Sequence, residues 1–75
     1  ERVQHGEYVI DANVFEIKSG GFSLTVTIEK HDSAGVHVQT FLQNRRTNDT
    51  RAAAEQAALE MGTLLIDGHT KGLTI

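Results

Sequence analysis

The 75 residues, 39% hydrophobic and 23% charged, make one small domain with one core, which excludes a disordered tail and a second folded unit. No cysteine is present, so a disulfide scaffold, a thiolate metal site and a cysteine nucleophile are all removed. A net charge of −3 argues against a protein held mainly by nucleic-acid phosphates or anionic lipid, and the apolar runs are too short for a membrane span or a signal-peptide core.

The chain begins at Glu1 without a methionine, so a few leading residues are expected before it. Proline is absent, and glycines at 6, 20, 21, 35, 68 and 72 supply the punctuation at expected turns. The first strand is expected over about residues 7–17. Tyr8, Ile10, Ala12 and Val14 keep one parity while Phe15 and Ile17 keep the other. A bulge near Asn13 and Val14 would reconcile them, since one extra residue reverses the facing of all that follow; a break into two short strands is the alternative. Lys18, Ser19, Gly20 and Gly21 then form a tight hairpin turn.

The clearest strand follows, over about residues 22–30. Phe22, Leu24, Val26 and Ile28 alternate with Ser23, Thr25, Thr27 and Glu29, a period of two with one buried and one wet face. Asp32, Ser33, Ala34 and Gly35 suit a turn ending in a left-handed glycine. The returning strand is expected over about 36–43, with Val36, Val38 and Leu42 inward. His37, Gln39 and Gln43 then face outward with Thr25 and Thr27, and Phe41 is either an exposed aromatic among them or tucked beneath the helix through a bulge.

Helical spacing takes over at about 51–66. Ala54, Ala57, Ala58, Met61, Leu64 and Leu65 make one apolar stripe, with Thr50 as N-cap and Gly68 just beyond the end. Leu59, Gly62 and Ile66 lie to one side as a second, narrower edge. Glycine costs about 1 kcal/mol against alanine inside a helix, so Gly62 marks a close backbone approach. The tail, about 69–75, alternates again at Gly72, Leu73, Thr74 and Ile75 and either covers that edge or leaves it to a second subunit. The expected fold class is α+β, a three-stranded antiparallel meander packed on one C-terminal α-helix (β-β-β-α) with a short extended tail.

Chemistry-bearing patterns are few. His5, His31, His37 and His69 lack the helical i, i+4 spacing of a preset metal site, and no nucleophile elbow, phosphate loop or dinucleotide unit is present. Glu55 and Glu60 fall on the solvated side of the helix. No catalytic residue, metal or cofactor is therefore expected. Two surfaces stand out as binding candidates. Arg45, Arg46, Thr50 and Arg51 bring cations to a helix N-terminus that attracts anions, although Asp49 offsets them. Thr25, Thr27, Gln39 and Gln43 form a hydrogen-bonding sheet face able to read base edges. Leu59, Gly62 and Ile66 are the candidate protein interface.

Two resemblances follow from these residues. Tyr8 on the first strand, Thr50 and Arg51 opening a helix with Ala54, Ala57 and Ala58, the Ile66-Asp67-Gly68 ending and the closing Gly72-Leu73-Thr74-Ile75 resemble a group of small proteobacterial proteins of about this length and of unknown function. That likeness spans most of the chain and implies no activity. More loosely, the order strand, strand, strand, Thr50, alanine helix is similar to the arm-site DNA-binding domain of tyrosine integrases and to plant AP2-type domains. Those sheets enter the major groove with lysines and arginines, where this one offers Thr, Gln and His; shared topology alone does not confer function. The sequence thus points first to a non-catalytic cytoplasmic module that binds a protein, as a monomer or weak homodimer. Nucleic-acid binding is the alternative, and a small enzyme the third reading.

Overall fold

In the computed structural model the backbone is described for residues 1–75, and side chains for all but residues 43–47. The described residues form four antiparallel strands, β1 (Arg2–His5), β2 (Tyr8–Glu16), β3 (Phe22–Asp32) and β4 (Gly35–Asn48), followed by one helix, α1 (Arg51–Ile66). The sheet order is β1-β2-β3-β4. The α+β arrangement with an antiparallel sheet and a C-terminal helix is as the sequence predicts, but the meander has four strands and not three. The added strand is β1, which pairs Arg2 with Asp11 and His5 with Tyr8 across a turn where Gly6 sits at φ 63°. Val3 is its one large apolar residue, so β1 carries no alternating signature. It is held by its ladder with β2.

β2 contains no bulge. Its register with β3 is unbroken from Tyr8 opposite Lys30 to Glu16 opposite Phe22, so the opposed parity of Phe15 means only that Phe15 points away from the core. The β2–β3 turn closes with Ile17 N–H on Gly21 O (3.0 Å) and Gly20 N–H on Ile17 O (2.9 Å). Gly20 and Gly21 both take positive φ, which side chains would oppose. At the next turn Asp32 pairs with Gly35, and the Asp32 carboxylate accepts from Ala34 N–H at 2.8 Å.

Cross-strand partners share a face of the sheet. Ile10 and Ala12 of β2 lie opposite Ile28 and Val26 of β3, and with Leu24 these side chains are buried against Ala54, Ala58 and Leu65 of α1. Burying each large aliphatic of this set contributes about 1.5–3 kcal/mol, which makes the layer between β2, β3 and α1 the main source of stability. α1 lies over β2 and β3 and touches β1 and β4 little.

The helix begins where the Thr50 hydroxyl accepts from Ala53 N–H at 3.1 Å. It ends with Gly68 N–H on Leu65 O (3.3 Å) and His69 N–H on Leu64 O (3.0 Å), a Schellman pattern that needs the left-handed Gly68 at φ 81°. Its buried line is Ala54, Ala58, Gly62 and Leu65. The contact face is therefore rotated toward Gly62 from the expected stripe, and Leu64 is exposed. A Cβ on Gly62 would stand 2.6 Å from Ile10 Cγ2; the close approach is to the sheet. The tail forms no strand. It crosses the helix side of the sheet, where Gln39 Nε2 donates to Gly72 O (2.8 Å), Thr74 N–H donates to Gln39 Oε1 (2.9 Å) and Tyr8 Oη donates to Ile75 O (2.9 Å).

Candidate functional site

One face of the sheet is roofed by α1 and the tail; the other is bare. The register of the β3–β4 hairpin decides which β4 side chains lie on each. Val26 faces Phe41, Ile28 faces Gln39 and Lys30 faces His37, whereas Thr25 faces Leu42, Glu29 faces Val38 and His31 faces Val36. The expected facing of β4 is therefore reversed. Phe41 packs against the core cluster without any bulge between Leu24 and the turn. Gln39 is on the helix side, held by the tail. Val36, Val38 and Leu42 lie on the bare face at 58%, 54% and 54% exposure, and Phe15 on β2 is 44% exposed. The physical reason is register: closure at Asp32–Gly35 sets Gln39 opposite Ile28 and Phe41 opposite Val26. With α1 lying over β2 and β3, the inner side of β4 is covered by Phe41 and a tail-bound glutamine.

The bare face has two halves. Over β1, β2 and β3 it is charged. Arg2 Nη2 donates to Glu29 Oε2 at 2.6 Å and Arg2 Nη1 to Asp11 Oδ2 at 3.3 Å, while His31 Nε2 stands 3.6 Å from Glu29 Oε2. The hydrogen bond from Arg2, helped by its charge and by His31, holds the Glu29 carboxyl below its ordinary pKa. Asp32 is likewise lowered, first by the Ala34 amide. A groove of about 650 Å³ opens beside this cluster, lined by Gln4, Glu7, Val9, His31 and Asp32. Among the described residues, no three His, Cys, Asp or Glu side chains converge as metal ligands. Over β4 the described side chains of this face, from Val36 to Leu42, are neutral: Val36, Val38 and Leu42 stand beside Thr40, whose Oγ1 meets Thr27 Oγ1 at 3.3 Å.

The predicted site residues do not come together. Thr25 and Thr27 are on the bare face and Gln39 is on the other; the side chains of Gln43, Arg45 and Arg46 lie outside the described residues. Thr50 is spent on the cap. Arg51 stacks on Phe22 (5.3 Å to the ring centroid) and donates to Val14 O at 3.3 Å, so its guanidinium is committed to packing. Of the predicted protein interface, Gly62 is buried against Ile10 while Leu59 and Ile66 are partly buried on the core cluster. Rotation of the helix toward Gly62 drew that edge into the fold. The surface that remains open, Val36, Val38 and Leu42, was readable by counting outward from the Asp32–Gly35 turn, because Ile28 inward forces residue 39, and not residue 38, inward.

Fold and surface together define a two-layer α+β domain with one open sheet face and a row of exposed aliphatics on its edge strand. Against protein-family models, curated proteins and solved structures, the chain has no match. Among the described residues, no helix is long and apolar enough to cross a membrane.

Proposed function

We propose that the domain is a non-catalytic interaction module that binds a protein partner through the bare face of its sheet at β4. The observation that carries this reading is the row Val36, Val38 and Leu42, each more than half exposed on an edge strand. A single exposed valine is ordinary, whereas a row of them on one strand marks a contact surface. The same residues disfavour a nucleic-acid groove. The polar half of the face carries Asp11 and Glu29, and its arginine, Arg2, is neutralised by both; phosphate binding needs uncompensated cations.

The test is site-specific photo-crosslinking in the native cell, with the reactive group at Val38 or, as control, at Gln56 on the exposed side of α1. Protein adducts are expected from Val38 and not from Gln56. Equal labelling from both positions, or adducts to nucleic acid at Val38, would refute the reading.

A further inference from the structure

The geometry points to a second copy of this chain as the occupant of the β4 edge, its own β4 running antiparallel about a two-fold axis at Gln39. This inference rests on the interaction-module reading and names the partner for it.

The two edges of the sheet are unalike. β1 spans four residues and carries Arg2, which is tied to Asp11 and Glu29. A short, charged edge of this kind resists pairing with another strand. β4 is the long edge, and its stretch Val36–Leu42 contains no Lys, Arg, Asp, Glu or Pro. None of the usual protections is present there. Among the described residues no turn, loop or tail backbone group bonds to the backbone of this stretch, and the tail reaches only the Gln39 side chain, from the helix side of the sheet. The outward row of amides and carbonyls is left for another strand.

The stretch also suits its own reversed copy. With the axis at Gln39, Val36 meets Leu42 of the second copy and Val38 meets its Thr40 on the bare face. His37 meets Phe41 on the helix face. Each bare-face pair joins an aliphatic to an aliphatic or a β-branched residue, the cross-strand combinations that stabilise antiparallel pairs, and no like charges are opposed. Pairing β4 with β1 instead would be head-to-tail and would leave a free edge at each end, giving open filaments; the β4–β4 contact is isologous and closes at two subunits. The seven-residue ladder buries less than the roughly 800 Å² per partner of a standard interface, so the dissociation constant is expected on the order of 10 µM.

Sedimentation equilibrium from about 1 µM to about 200 µM brackets that constant and should show the mass rising from the 8.2 kDa chain toward twice that value. Val38→Glu and Thr40→Lys should each weaken association about tenfold, and mixing the two variants should restore it, since residue 38 of one copy faces residue 40 of the other. In this cysteine-free chain, Gln39→Cys should oxidise to a covalent dimer and Gln56→Cys should not, because only residues at the axis bring their Cα atoms within disulfide range. A constant monomer mass, or a mixture of charge variants that remains monomeric, would overturn self-pairing. Adducts from Val38 to other proteins would in that case leave the module reading standing, so the two fail separately.

Discussion

Replacing Gly62 by alanine sets two opposed effects against each other. Alanine gains about 1 kcal/mol over glycine in a helix interior. The new methyl, however, would stand 2.6 Å from Ile10 Cγ2, 3.1 Å from Cδ1 and 3.2 Å from Cγ1. Ile10 is fully buried and its Cγ2 is fixed to a branched Cβ, so the helix must lift from β2. Overpacking of this kind costs about 1–3 kcal/mol. The net expectation is a loss of about 1 kcal/mol, a fall in Tm of about 4–8 °C for a domain this size. The Ile10→Ala background supplies the control. That change alone costs about 2–5 kcal/mol by leaving a cavity, but it removes all three clashing atoms, so Gly62→Ala on top of it should stabilise by about 1 kcal/mol. Ile10→Val removes only Cδ1 and leaves the nearest contact, so the alanine should still destabilise there. Urea and thermal melts followed by circular dichroism read all six proteins. A rise in Tm for Gly62→Ala alone, or the same sign of effect in the parent and Ile10→Ala backgrounds, would refute the close-approach argument.

Three further outcomes are expected. Thr50→Ala removes the acceptor for Ala53 N–H and should cost about 1 kcal/mol in thermal melts, while Thr50→Ser should cost little. The Glu29 carboxyl lies below its ordinary pKa because of Arg2, so its contribution is present above the unfolded-state value and is lost as pH falls through the folded-state value. Arg2→Ala should move the Glu29 midpoint upward in a carboxyl-carbon NMR titration, and an unmoved midpoint would contradict the assigned ion pair. Tyr8→Phe removes the bond to Ile75 O; a loss of about 1 kcal/mol is expected, with faster amide exchange at Thr74.

The strand over Phe22–Asp32 and the helix over Arg51–Ile66 were legible because each carries a strong period and a chemically specific end. The Thr50 cap, the Gly68 stop and both hairpin turns after β2 and β3 follow from side-chain oxygens and left-handed glycines. β1 was not legible, since Val3 gives no alternation and pairing alone defines it. The facing of β4 was misread for a different reason. Val36, Val38 and Leu42 are more apolar than His37 and Gln39, so hydropathy turns them inward, but the unbroken register from Asp32–Gly35 to Val26–Phe41 places them outside. Hairpin geometry overrides local hydropathy: β3 is fixed by its ladder with β2, and a one-residue slip of β4 would turn Phe41 out of the core. That inversion moved the candidate surface from polar side chains to the aliphatic row on β4. The candidate surface was thus concealed by an assumption about burial, although all of its residues were in plain view.

The helix and the tail follow the sheet in chain order and together supply its roof. As the polypeptide leaves the ribosome, the meander emerges first, with Ile10, Leu24, Val26 and Ile28 lacking Ala54, Ala58 and Leu65 above them. Nascent chains at this stage carry two greasy sides, the one destined for the roof and the one along β4. Newly made copies crowded on one messenger therefore have a brief opportunity to stick together wrongly. Closure of the alanine-rich helix over these side chains, capped at both ends, ends that window.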